Sequence, residues 1–326
     1  MLFFITALRA FATIFITNSH YTGVYPNDII ANGGLLGDVL FFAVSGYCLT
    51  NLKFSFPKWF LKRFLRIYPA VFVITLVFIF FGFFDFYHAH ISTALTYFRI
   101  NFIYPTNYYF VIDILLLYIP YYLVVKIKSL YNNLHFIIFG VFAAQIIFYI
   151  LFINKDIYNV DNVASPYMLF MFFLCMLIGA YIKKEKNTFL NTHKLRYGVL
   201  TVVLAAGYFG TKTMFAKNFF LQFQIANQIV LACLLFCLFC FFSSYNDKLE
   251  KFPKHLKSVI SFLGKLTLEI YLVQVPFIQL FRGLVFPLNW LVITACILAS
   301  AWLLHFVVDK LTAPIDKKLF AQKAKT

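Results

Sequence analysis

Ten runs of apolar residues, each long enough or nearly long enough to cross a lipid bilayer, constrain this chain more than any other feature. A spanning helix needs about 20 such residues, within a range of about 17 to 25, because the hydrocarbon layer is about 30 Å thick. The runs fall at 2–19, 35–52, 67–84, 108–125, 134–153, 166–182, 197–214, 224–242, 260–280 and 289–308. The ninth is the weakest, since Lys265 and Glu269 stand near its start. With 62% of 326 residues hydrophobic and 12% charged, one water-soluble core has no room for so much apolar surface, and lipid must be the solvent for most of it. The expected fold class is all-α, a polytopic integral membrane bundle of about ten helices.

Charge sorts the connections between these runs. A net charge of +16 invites a nucleic-acid reading, but the basic residues stand in short blocks between apolar runs rather than along one polar face, so no nucleic-acid partner is expected. Assigned alternately to the two sides, one side takes Lys53 to Arg66, Lys126 and Lys128, Lys183 to Arg196, Lys248 to Lys265 and the tail from Lys310. The other holds only Arg99, Lys155, Lys212, Lys217 and Arg282. Cytoplasmic loops carry the Lys and Arg excess, so this asymmetry predicts an even number of spans with both termini in the cytoplasm. No linker, repeat or low-complexity tract interrupts the chain, which reads as one membrane domain over 1–326 with no soluble appendage. The opening MLFFITALRAF lacks the basic stretch and cleavage site of a signal peptide, so the first helix is expected to stay.

An ionisable side chain inside a membrane helix costs about 2.5–3.5 kcal/mol on insertion scales, which makes each one a candidate for function. Arg9, Asp38, Asp113 and Glu269 stand out, with His20 at the outer end of the first run. Arg9 and His20 are eleven steps apart, and eleven steps of about 100° return to nearly the same helix face, about 16 Å along the axis. Two readings stay open on composition alone. Either Arg9 snorkels to the interface and His20 caps the helix, or the two line a polar pocket in which a near-neutral imidazole removes a proton from a hydroxyl. The six cysteines all lie in apolar runs and read as small buried side chains. His88 and His90 read as solvated loop residues, and no metal site is expected.

Three segments in order decide between the readings: LRAFATIFITNSH (8–20), LFFAVSGYCLT (40–50) and WFLKRFLRIYPA (59–70). They resemble the opening of the acyltransferase-3 family of membrane O-acyltransferases: an Arg, ten residues and a His, then an FF…SG run, then a basic RxxR-type segment leading into a Pro. LGKLTLEIYLVQVPF (263–277) and VDKLTAPIDKKL (308–319) resemble its late helix and closing segment. Gln274 stands where many members have His, and Asp309 where many have Glu; Asp38 is one place earlier than the usual acidic residue. YYFVIDILLLYIP (108–120) matches loosely the helix-four pattern that carries an acidic residue, here Asp113.

The resemblance implies acyl transfer, usually acetyl from acetyl-CoA, to a hydroxyl of a surface polysaccharide or its lipid-linked precursor, in the bacterial cytoplasmic (inner) membrane. It assigns His20 as base or transient acyl carrier, Arg9 as the group that orients the thioester or stabilises negative charge, and Asp113 as a third catalytic residue. Arg63 and Arg66 would take the phosphates of CoA, which guanidinium fits through paired hydrogen bonds, or serve as a plain positive-inside anchor. Ser45 and Gly46 read as a nucleophile and its turn or as a close helix contact, and Tyr68 and Pro69 as a helix start. The implied partners are the bilayer, the glycan acceptor, acetyl-CoA and either a second copy or another acyltransferase. A transporter or flippase of a lipid-linked sugar is the competing reading, since a polytopic bundle with buried charges also serves transport.

Overall fold

The computed structural model describes residues 2–83, 108–163 and 165–320; His88 and His90 lie outside them. The helices are α1 Phe3–Ser19, α2 Gly34–Leu49, α3 Phe56–Phe80, α4 Tyr109–Lys126, α5 Lys128–Asn132, α6 Leu134–Phe152 and α7 Pro166–Lys184. They continue with α8 Lys186–Phe189, α9 Leu195–Ala216, α10 Ile225–Ser244, α11 Asn246–Glu250, α12 Lys254–Lys265, α13 Thr267–Phe281 and α14 Leu288–Phe320. Among the described residues eight helical segments are long and apolar enough to cross a bilayer, and the bent pair α12 and α13 counts as a ninth. The 17-residue apolar α1 brings the set to the ten expected from the sequence.

Two expected boundaries are corrected. The third run does not begin at Pro69: α3 starts at Phe56, with Pro57 in its first turn where a missing N–H costs nothing. It continues through Pro69, whose ring deprives only the Leu65 carbonyl of its partner, a defect that membrane helices tolerate. Arg63 and Arg66 therefore sit on the helix itself, one turn apart. The ninth run is not one straight helix over 260–280. Its basic, amphipathic first part forms α12, and the chain bends by 75° before the apolar α13, because Lys257 and Lys265 cannot follow the apolar residues into hydrocarbon.

The chain divides into two compact units. The first comprises Met1–Phe15, Leu35–Leu52 and Leu116–Lys265. In it α2 and α7 cross without side chains between them. A Cβ at Gly46 would overlap the Met176 carbonyl, and one at Gly179 the Ala43 carbonyl, so each helix offers a glycine to the other's backbone. Phe42 stacks on Phe172 at 4.4 Å beside this crossing, and the Tyr121 hydroxyl donates to the Gly46 carbonyl. Gly46 is thus a packing residue. Polar side chains close the remaining backbone needs: the Phe4 N–H at the start of α1 donates to Asn246 Oδ1 at 3.0 Å, and Asn227 Nδ2 on α10 donates to the Tyr208 carbonyl of α9 at 2.8 Å. Cys233, expected to be buried, is exposed in an apolar groove that it lines with Phe139, Ile178 and Phe236.

The second unit comprises Ile16–Gly34, Lys53–Leu115 and Leu266–Thr326. α13 packs on α14, and both pack on α3. The 33 residues of α14 reach about 50 Å, well beyond the hydrocarbon layer of about 30 Å. Its surplus pairs with the basic start of α3: Phe320 meets Phe54 at 5.9 Å, and Lys62 Nζ lies 5.1 Å from the Phe320 ring.

The glycine crossing sets a measurable contrast. Gly46→Ala and Gly179→Ala should each lower the unfolding free energy in detergent by about 1–3 kcal/mol through overpacking. Gly140→Ala, at a helical site with nothing within 4 Å of the added carbon, should leave it unchanged or raise it.

Candidate functional site

His20 stands at the root of a short segment after α1 that the second unit holds firmly. Its N–H donates to the Thr17 carbonyl at 3.1 Å as α1 ends. The next residue, Tyr21, is buried, with its hydroxyl 3.0 Å from Thr294 Oγ1 on α14. Gly23, at φ +76°, takes a turn that favours glycine, and its N–H donates to the Asp28 carboxylate at 2.7 Å. Asn289 Nδ2 then donates to the Val24 carbonyl at 2.8 Å, and Asn18 Nδ2 to the carbonyls of Ile30 and Asn32 at 2.7 and 3.0 Å. Together these bonds fix where His20 emerges.

The His20 ring itself has no hydrogen-bond partner among the described residues and keeps exposed surface. The protein around it withdraws water from the charged form and lowers its pKa from the ordinary 6.5. An accessible imidazole that is neutral at neutral pH has the protonation state a general base requires.

Arg9 belongs to the first unit, where α1 meets α2. Its Nη2 reaches Cys48 Sγ at 3.6 Å, so it is turned toward protein rather than out to the interface. A thiol is a weak acceptor for one of five donors. The other donors of Arg9 have no partner among the described residues, and a half-buried guanidinium in that state is equipped to receive a carbonyl oxygen or an oxyanion.

Asp113 lies in the second turn of α4, half-buried and with no hydrogen-bond or ion-pair partner among the described residues. The start of α4 rests on α13 through aromatic rings, with Tyr108 and Phe110 at 6.1 and 5.6 Å from Tyr271. Arg63 lies over the buried Trp59 ring at 5.7 Å, and Arg66 is exposed. No hydrogen bond or ion pair joins His20, Asp113 and Arg66 to one another among the described residues.

One polar cluster escaped sequence reasoning as a cluster. Glu269 on α13 accepts from or donates to His305 on α14, with Oε1 and Nδ1 2.8 Å apart. Their side chains are only 4% and 8% exposed. Asp309 Oδ2 follows at 3.4 Å from His305 Nε2, and Asp309 Oδ1 lies 3.9 Å from Arg66 Nη1. Glu269 had stood out as an ionisable group at depth, and such a group requires a partner. The available signal was the pair His305 and Asp309, four residues apart and so on one helix face.

The sequence model of the acyltransferase-3 family, an acyltransferase domain, matches residues 2–307. No curated protein and no solved structure matches the chain.

The Glu269–His305 contact predicts strong non-additivity. Glu269→Leu alone should cost about 3–5 kcal/mol by stranding a buried polar partner, while the double replacement Glu269→Leu/His305→Leu should recover most of that loss. Denaturation of wild type, Glu269→Leu, His305→Leu and the double variant in detergent measures both.

Proposed function

Because the chain belongs to the acyltransferase-3 family and is a multi-pass membrane acyltransferase, we propose that it moves an acetyl group from acetyl-CoA to a hydroxyl of a cell-surface polysaccharide or its lipid-linked precursor. The observation that carries this reading is α1. Arg9 on α1 and His20, the residue that follows its last turn, each keep hydrogen-bonding groups without protein partners among the described residues, at the spacing of the family's opening motif. Neither a snorkelling arginine nor a capping histidine accounts for both.

In the proposed reaction His20 takes the proton of the acceptor hydroxyl as its oxygen attacks the thioester carbonyl. The C–O bond forms, the C–S bond then breaks, and the proton passes to the departing thiolate, leaving an ester and a free thiol. Alternatively His20 carries the acyl group between the two substrates. Arg9 orients the thioester or stabilises the oxyanion, being permanently protonated. Asp113 supplies an unshared carboxylate. Arg63 and Arg66, one turn apart on the basic start of α3, receive the phosphates of CoA. The Lys and Arg asymmetry supports placing this basic face and both termini in the cytoplasm of a bacterium, with the chain in the inner membrane. It acts alone or with a second acyltransferase copy or partner.

Two outcomes test this. His20→Ala should lower the O-acetyl content of the surface polysaccharide to the level of a deletion strain, since a general base contributes about 10²–10⁴-fold; wild-type acetylation in that variant, at normal expression, sinks the proposal. The pH profile offers a second check. A lowered pKa keeps the imidazole neutral until pH falls below its depressed value, so transfer should persist through pH 6.5 and decline only beneath it.

A further inference from the structure

The cluster that runs from Glu269 to Arg66 has more structure than an anchor needs. Both nitrogens of His305 face carboxylate oxygens, Glu269 Oε1 at 2.8 Å and Asp309 Oδ2 at 3.4 Å. A neutral imidazole satisfies one carboxylate and presents a lone pair to the other, whereas an imidazolium donates to both. Arg66 lies beyond Asp309, so Glu269, His305, Asp309 and Arg66 form one run of contacts. The cluster also climbs from burial to solvent: Glu269 and His305 are buried, while the side chains of Asp309 and Arg66 are 52% and 56% exposed.

Asp309 is the shared member. His305 Nε2 lies 3.4 Å from one of its oxygens without hydrogen-bond geometry, and the other oxygen meets Arg66 through a single nitrogen at 3.9 Å. That is long and end-on, far from the paired approach in which a carboxylate occupies both arms of a guanidinium at about 2.7–2.9 Å. Rotation of a carboxylate held by His305 would have to break that contact before Asp309 could close on Arg66.

We infer that His305, clamped by Glu269, is a positioning residue for the acyl donor: it restrains Asp309 so that Arg66 keeps guanidinium donors for a phosphate. This rests on the reading of Arg66 as a CoA-phosphate group. Without His305, Asp309 swings onto Arg66 and competes with the phosphate as an internal anion.

The test is donor kinetics of the purified full-length protein in detergent, read as thiol released from acetyl-CoA. His305→Gln, whose amide can still bond Glu269, should raise the KM for acetyl-CoA about 2- to 5-fold, the scale of a partly exposed charge contact, with kcat held. Asp309→Asn should lower that KM. The double variant His305→Gln/Asp309→Asn should return it to the Asp309→Asn value, a rescue that mere loss of packing would not give. An unchanged KM in His305→Gln, a fall in kcat alone, or failure of the double variant to rescue overturns the inference. Arg66→Ala separates the two layers. If it raises KM while His305→Gln does not, only the positioning role falls. If it leaves KM unchanged, the phosphate reading of Arg66 falls and the positioning role with it.

Discussion

In hydrocarbon a polar group has no water to turn to, and this one constraint shapes the chain at every level. The backbone answers it by folding into helices, which close their own hydrogen bonds. Side chains must find partners in protein, and the described residues show several solutions. Asn246 meets a free N–H at the start of α1. Asn227 reaches a carbonyl on the neighbouring helix. Glu269 and His305 meet each other. Arg9 and His20 keep donors and acceptors uncommitted among the described residues, as do the buried amides of Gln145 and Gln274.

The fold was legible where solvent alone decides it. Ten apolar runs became helices at the expected places because length and hydropathy suffice when the surroundings are lipid. The boundaries that slipped are those where a second principle competes. Pro69 suggested a start, but Pro57 already occupied the first turn of the same helix. Lys265 weakened the ninth run, and the physical answer was a bend rather than a buried charge. The reach of α14 to Phe320 was invisible to hydropathy, because residues beyond 308 are polar and are held by aromatic contacts with the start of α3.

The placement of the candidate residues was legible in part for a related reason. Arg9 lies on α1 and His20 directly follows it, and so short a spacing is readable from the chain alone. The Glu269–His305 pair spans 36 residues and two helices, so the periodicity of neither reveals it. Burial of Cys233 also misled, since an apolar residue in a membrane helix can face lipid as readily as protein. Gly46 shows the opposite case: its neighbour Ser45 suggested chemistry, and the Met176 backbone pressed against it shows packing.

The bend before α13 also bears on the bilayer itself. The 15 residues of α13 rise about 22 Å, several ångströms short of a hydrocarbon layer of about 30 Å. Lipid beside so short a helix must thin, or its head groups must dip, to avoid exposing apolar tails to water. The amphipathic α12, with Lys254 and Lys257 on it, is the kind of element that holds such a depression in place. A polar group crossing the layer meets the least hydrocarbon beside a helix this short.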